Sequence, residues 1–230
     1  MPKERPQRKP PLRIGHRGAA GHAPENTLAS VKKAIEFGAD LVEVDVRRSR
    51  DGHLVLMHDE TVDRTTNGTG RMAGLSLSEL RALDAGQGAG IPTLDELLDA
   101  AEGLVGLMLE LKEAGLADPA VEHVRRHRFS RTVIFASFLH EELRAVRAVD
   151  PKAATLALFD KLPKDPVGAA SRVGATHAGL RFKTVSSRWI VAFHRAGLRV
   201  FVYTVNQPRD IQAMRALGVD GIISDFPDRL

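Results

Sequence analysis

Two carboxylates, two residues apart on an apolar segment, are the first chemistry this chain offers. Leu41-Val42-Glu43-Val44-Asp45-Val46 alternates at period two, as a β-strand does. Val42, Val44 and Val46 then share one face, while Leu41, Glu43 and Asp45 share the other. Paired carboxylates on a buried strand face are costly unless a cation neutralises them. Taken alone, the pattern also describes a half-exposed strand whose acidic face meets water. A second segment, Leu107–Lys112, places Met108, Glu110 and Lys112 on one face. Three carboxylates and no soft ligand point to a hard divalent cation, Mg²⁺ or Ca²⁺, rather than zinc. Arg17 and Lys112 are donors suited to a phosphate. His16 and His58 supply groups that exchange protons near neutral pH. Taken singly, each has a plainer reading: a hydrogen-bonded histidine at a strand end, or a Glu110–Lys112 ion pair. Together they make a site for phosphodiester cleavage, in which one imidazole removes a proton from the nucleophile and the other protonates the leaving alkoxide.

Such groups need a scaffold that brings distant segments together. The sequence predicts strands at Leu12–His16, Leu41–Val46, Leu107–Lys112, Thr132–Ser137, Ala154–Leu158, Thr176–Leu180, Leu198–Val205 and Gly221–Ser224, with helical patterns between them. Eight strands alternating with helices are the pattern of an α/β fold of the TIM type, a (β/α)₈ barrel, whose functional groups lie at the C-terminal strand ends. Those ends carry His16-Arg17, Glu43 and Asp45, Glu110 and Lys112, Ser137-Phe138, Arg181, Tyr203 with Asn206, and Ser224-Asp225. In the first helix, Asn26 is the expected N-cap. Thr93-Leu94-Asp95-Glu96 reads as a capping box. Asp51-Gly52 is a tight-hairpin signature, and the returning strand is Leu54–His58. With Asp51-Gly52 as a two-residue loop, Arg50 faces His53 and His58 lies opposite Asp45, on the same face of the sheet. The polar, glycine-rich stretch Asp59–Gly90 reads as an insertion covering part of the mouth.

The chain has 230 residues, 43% hydrophobic and 27% charged, which is ordinary for a soluble globular protein. No apolar run is long enough to cross a bilayer, and no secretory signal is visible, so a cytoplasmic location without stable membrane insertion is expected. With no cysteine, neither disulfides nor thiol chemistry enters. The formal charge of +4 is concentrated at one end: Lys3, Arg5, Arg8, Lys9 and Arg13 against Glu4 account for all of it. Residues 1–11 are therefore expected to be a disordered basic tail, and residues 12–230 a single domain carrying the insertion at about 59–90. No basic stripe interleaved with aromatics follows, so nucleic acid is not an expected partner. The sequence leaves the oligomeric state open.

The ordered motifs resemble the glycerophosphodiester phosphodiesterase family. They are His16-Arg17-Gly18 with Pro24-Glu25-Asn26-Thr27, Glu43-Val44-Asp45-Val46, Asp51-Gly52, His58-Asp59 and Arg64-Thr65-Thr66. Leu109-Glu110-Leu111-Lys112, Ser137-Phe138, Thr204-Val205-Asn206 and Ser224-Asp225-Phe226-Pro227 complete the set, and the resemblance spans about Arg13 to Pro227. It implies a TIM barrel with a small insertion after the second histidine. It also implies one divalent cation on Glu43, Asp45 and Glu110, an acid–base pair of His16 and His58, and phosphate held by Arg17 and Lys112. Phe138 and Tyr203 would contact the substrate. Tyr203 departs from the family, where tryptophan often stands before Thr-Val-Asn. The implied activity is metal-dependent hydrolysis of a small glycerophosphodiester to sn-glycerol 3-phosphate and an alcohol through a cyclic phosphate. Alternatives are lysophospholipase D or cyclising lyase activity on lipid substrates, or a phosphate-binding barrel without activity.

Overall fold

A computed structural model describes residues 9–230. The tail expected over residues 1–11 lies outside the described residues except for Lys9, Pro10 and Pro11, which form no regular element. Eight parallel strands close into a barrel: β1 (Leu12–Gly15), β2 (Leu41–Arg48), β4 (Gly106–Leu111), β5 (Val133–Ser137), β6 (Ala154–Phe159), β7 (His177–Arg181), β8 (Arg199–Tyr203) and β9 (Gly221–Ser224). Closure comes from β1 pairing with β2 on one side and β9 on the other. The remaining strand, β3 (Leu54–Leu56), is the antiparallel return of a hairpin on β2.

Between the strands run α1 (Leu28–Glu36), α3 (Leu94–Ala101), α4 (Ala117–His127), α5 (His140–Val149), α6 (Pro166–Arg172), α7 (Ser187–Arg195) and α8 (Pro208–Leu217). The Thr93 capping box forms as the sequence predicts, Thr93 accepting from the Glu96 backbone while Glu96 reaches back. The insertion carries the short α2 (Leu77–Arg81), capped in the same way by Ser76. Val62, Met72, Leu80 and Ala85 of the insertion pack on Val55, Met57 and Ile91 as a small core of their own.

The alternation along β2 sorts its residues between two environments. Val42, Val44 and Val46 join Leu94, Leu97 and Leu98 in the layer between barrel and helices. Leu41 joins Ile14, Met108, Ile134, Leu156, Phe201 and Ile223 in a barrel interior that is apolar below and polar above. The parallel register sets Asp45 beside Glu110 across the β2–β4 pair, so the carboxylates of two strands gather at one height.

The hairpin differs from the expected register by one residue. Val46 pairs with Leu56, Arg47 with Val55 and Arg48 with Leu54. The Ser49 N–H donates to the His53 carbonyl at 2.9 Å, so the loop is the three residues Arg50-Asp51-Gly52, with Gly52 left-handed at φ +92°. Gly52 thus closes a bulged three-residue turn instead of a two-residue one. Met57, not His58, lies opposite Asp45 and donates its N–H to the Asp45 carbonyl at 3.0 Å. His58 nevertheless stays within the field of Asp45. The ladder stops at Leu56, and Arg47 Nε holds the His58 carbonyl at 3.0 Å, which turns the chain across the top of β2.

At the opposite end of the barrel, His177 is buried against Phe201, ring centroids 4.9 Å apart, and its Nε2 has no partner. Burial, with the Arg199 charge nearby, pushes its imidazole down to about 4. An unfolded histidine titrates near 6.5, so between those values the unfolded chain binds the extra proton and stability falls as pH drops. The loss reaches about 3 kcal/mol by pH 4. Thermal melts from pH 7 to pH 4 should show the wild type losing more stability than His177→Phe. Parallel losses in the two proteins would remove His177 from the account of acid sensitivity.

Candidate active site

The site is built first from the loop after β1. Arg17 and Asn26 are both left-handed, at φ +49° and +56°, a conformation that costs non-glycine residues energy and persists where surroundings impose it. Here they do. The Asn26 N–H donates to the Arg17 carbonyl at 3.0 Å, and the Ser30 hydroxyl donates to the same oxygen at 2.8 Å. The Arg17 N–H donates to Glu43 Oε2 at 2.8 Å. Gly18, at φ +88°, lies so close to Ser30 that a Cβ would fall 2.2 Å from its Oγ, so no other residue fits.

Asn26 corrects a sequence expectation. The N-cap of α1 is Thr27, which forms a capping box with Ser30. The Asn26 side chain instead clamps the first site carboxylate: Nδ2 donates to Asp45 Oδ2 at 2.8 Å and Oδ1 accepts from the Asp45 N–H at 3.0 Å. Asparagine suits both tasks, and only the backbone conformation separates them.

Glu43, Asp45 and Glu110 each offer an oxygen, and these atoms lie within 4.8 Å of one another. Glu43 and Asp45 are 4% and 1% exposed. Burial and the repulsion of Asp45 push the Glu43 carboxyl well above the usual range, and burial and Asp45 raise Glu110. Burial also works against charge on Asp45, but Lys112, Arg17, His58 and the Asn26 hydrogen bond outweigh it and hold Asp45 down. Lys112 Nζ sits 2.6 Å from Glu110 Oε1 and 3.4 Å from Asp45 Oδ1, and Arg17 Nε sits 3.4 Å from Asp45 Oδ2. Crowded buried carboxylates with oxygen donors only are a donor set that a hard cation fits.

The two histidines flank this cluster in matching ways. His16 Nδ1 lies 2.6 Å from Asp225 Oδ1, and His58 Nδ1 lies 2.5 Å from Asp59 Oδ1. A carboxylate on Nδ1 fixes the tautomer and leaves Nε2 free for proton transfer. His16 Nε2 faces Glu43 Oε2 at 3.9 Å. Burial disfavours charge on His16, yet the Asp225 hydrogen bond and the Glu43 charge outweigh it and raise the imidazole. On His58, burial, with Arg17 and Lys112 near, outweighs Asp45 and Asp59 and lowers it.

Phe138 and Tyr203 face each other edge to face at 6.1 Å. With His16, Glu43, Met108, Glu110, Leu158 and Ile223 they line a cleft at the C-terminal mouth. The Tyr203 hydroxyl is buried there without a partner. A hollow of about 800 Å³ lies at the opposite mouth between Lys9, Arg199 and Arg215 and is lined by none of these groups.

All nine residues singled out in the sequence therefore gather at one mouth. Asp225, Asp59 and Asn206 also belong to it, Asn206 Nδ2 donating to Asp225 Oδ2 at 2.5 Å. The acid following each strand or histidine was visible as Ser224-Asp225 and His58-Asp59, but its partner was not.

The family model described as "Glycerophosphoryl diester phosphodiesterase family" matches residues 16–229. The chain belongs to this family. It is accordingly a phosphodiesterase, and its fold is the TIM barrel of its structural neighbours. A glycerophosphodiester phosphodiesterase of Caldanaerobacter subterraneus subsp. tengcongensis is 35% identical to it over 236 residues, covering 95% of this chain and 96% of the relative. Among solved structures, an Oleispira antarctica phosphodiesterase in complex with the product sn-glycerol-3-phosphate is 32% identical, with a TM-score of 0.91 over 96% of this chain and 95% of that one. Glycerophosphodiester phosphodiesterase from Agrobacterium tumefaciens is 34% identical, with a TM-score of 0.82 over 94% and 96%. Among the described residues, no helix of this family member is long and apolar enough to cross a membrane.

Proposed function

We propose that this phosphodiesterase hydrolyses small glycerophosphodiesters to sn-glycerol 3-phosphate and an alcohol, with one divalent cation, Mg²⁺ or Ca²⁺, held by Glu43, Asp45 and Glu110. The observation that carries the reading is the pair of histidine–carboxylate dyads beside the three-carboxylate cluster, His16 near Glu43 and His58 near Asp45. When bound, the cation supplies positive charge against the negative charge that develops on the phosphoryl oxygens. Arg17 and Lys112 hold the nonbridging oxygens.

His16 lines the cleft with Phe138 and Tyr203, whereas His58 lies outside it, its side chain 33% exposed beside the insertion. A glycerol in the cleft sets its 2-hydroxyl toward His16, with the unpartnered Tyr203 hydroxyl available to the terminal glycerol oxygen. His16 Nε2 takes the 2-hydroxyl proton as that oxygen bonds to phosphorus, and His58 gives a proton to the departing alkoxide as its P–O bond breaks. In the second half the roles reverse: His58 takes a proton from water, water oxygen bonds to phosphorus, and His16 returns its proton to the 2-oxygen as the bond from that oxygen to phosphorus breaks. The role of each histidine rests on where it sits relative to the cleft.

Comparing glycerophosphocholine with its analogue lacking the 2-hydroxyl tests the reading. The account predicts glycerol 3-phosphate and choline from the first and no turnover of the second. Comparable rates on both, or release of phosphocholine, would overturn it.

A further inference from the structure

The two dyads are built alike but anchored differently. Asp225, behind His16, is held by Asn206 from the end of β8, and its N–H donates to Asn206 Oδ1 at 3.0 Å, so both partners belong to the barrel. Asp59, behind His58, is held by Arg64, from the insertion. The Arg64 Nε donates to Asp59 Oδ2 at 2.6 Å, and its other edge forms a two-point fork on Glu25, with Nη1 to Oε2 at 2.9 Å and Nη2 to Oε1 at 2.7 Å. Glu25 Oε1 also accepts from Arg17 Nη1 at 2.7 Å. One guanidinium therefore bridges the carboxylate that orients His58 and the carboxylate that orients Arg17. It does so although Arg64 is 48% exposed and does not line the cleft. The planar fork of arginine makes the two-point contact on Glu25 while its Nε reaches Asp59; a lysine ammonium, a point charge, does not reproduce that fork. The bridge ties together Pro24-Glu25, His58-Asp59 and Arg64-Thr65-Thr66, three segments far apart in the chain.

We infer that Arg64 is a positioning residue that aims the His58 imidazole and the Arg17 guanidinium at the same phosphate, making the insertion part of the catalytic apparatus. The inference rests on the assignment of His58 as the acid toward the leaving alcohol. Loss of Arg64 then leaves Asp59 free to swing and His58 free to turn, and the step that suffers is protonation of a poor leaving group. A purely structural role, holding the insertion in place, would instead slow all substrates alike.

Steady-state and first-turnover kinetics of Arg64→Ala and Arg64→Lys on glycerophosphocholine and on a glycerophospho-p-nitrophenyl ester, with saturating divalent cation, separate these cases. The nitrophenolate leaves without a proton. Arg64→Ala should lower kcat on glycerophosphocholine by about 10- to 100-fold, as misplacement of a catalytic group does. On the nitrophenyl ester the first-turnover release of nitrophenolate should slow by less than about 3-fold, since protonation contributes little to that step. KM should rise on both substrates, through Arg17. Arg64→Lys should fall between wild type and alanine, which keeps the test open should the alanine variant fold poorly. In a His58→Ala background, Arg64→Ala should cost no further kcat. Equal losses on both substrates with an unchanged melting temperature, a full further loss in the His58→Ala background, or wild-type kinetics would each overturn the positioning role. A wild type that does not cleave glycerophosphocholine would overturn the functional reading beneath it, a pattern distinct from failure of the clamp alone.

Discussion

His58→Ala should cleave glycerophosphocholine about 10²–10⁴-fold more slowly than the wild type while keeping much of its cyclisation rate, read as nitrophenolate release, on the p-nitrophenyl ester, as loss of a general acid requires. His16→Ala should be slow on both, because the nucleophile needs its base whatever the leaving group. The placement behind this is concrete: His16 lines the cleft beside Tyr203, and His58 stands on the open side next to the insertion. Both imidazoles have Nδ1 taken by a carboxylate, so each presents Nε2 to the substrate. Kinetics across the two leaving groups therefore decide the roles. Rescue of His16→Ala by the activated leaving group would reverse the assignment, and full activity of both variants would end the two-histidine mechanism.

Glu43→Gln and Glu110→Gln should each weaken Mg²⁺ or Ca²⁺ binding in calorimetry by about 100-fold or more, beyond the 10–100-fold that losing a supporting partner costs. Their hydrolytic rates at low cation should fall in step. Each substitution keeps the side-chain shape and removes one charge from a buried trio. Glu43 is raised by burial and by Asp45 more than the His16 attraction holds it down, so its neutral amide relieves more than it gives up. In chelator, Glu43→Gln should accordingly melt at or above the wild type, and added cation should raise the melting temperature of the wild type only. Wild-type affinity in both variants would remove the carboxylates from the metal site.

Much of this site was legible in the sequence because strand alternation is local. The period-two pattern of Leu41–Val46 assigns Glu43 and Asp45 to the barrel interior, and the same pattern assigns Glu110. Bringing them to one height needs only the parallel β2–β4 register. The hairpin register was not legible, since Asp51-Gly52 serves a two-residue turn and a three-residue turn equally well, and the left-handed Gly52 decides between them. Asn26 offered the same side chain for a helix cap and for the Asp45 clamp. The His16–Asp225 bond joins residues 209 apart, and only closure of β1 against β9 brings them together. The Arg64 fork is likewise a tertiary fact, reaching 39 residues back to Glu25 from a segment with no strand or helix periodicity to place it.

The central claim is cation-dependent attack on phosphorus by the substrate's own hydroxyl. Time-resolved phosphorus NMR of glycerophosphocholine turnover, first with Mg²⁺ or Ca²⁺ and then after addition of EDTA, tests it most directly. The account predicts a transient cyclic glycerol phosphate followed by sn-glycerol 3-phosphate, arrest of both by EDTA, and recovery on restoring the cation. An undiminished rate in EDTA, or phosphocholine as the phosphorus-containing product, would contradict it.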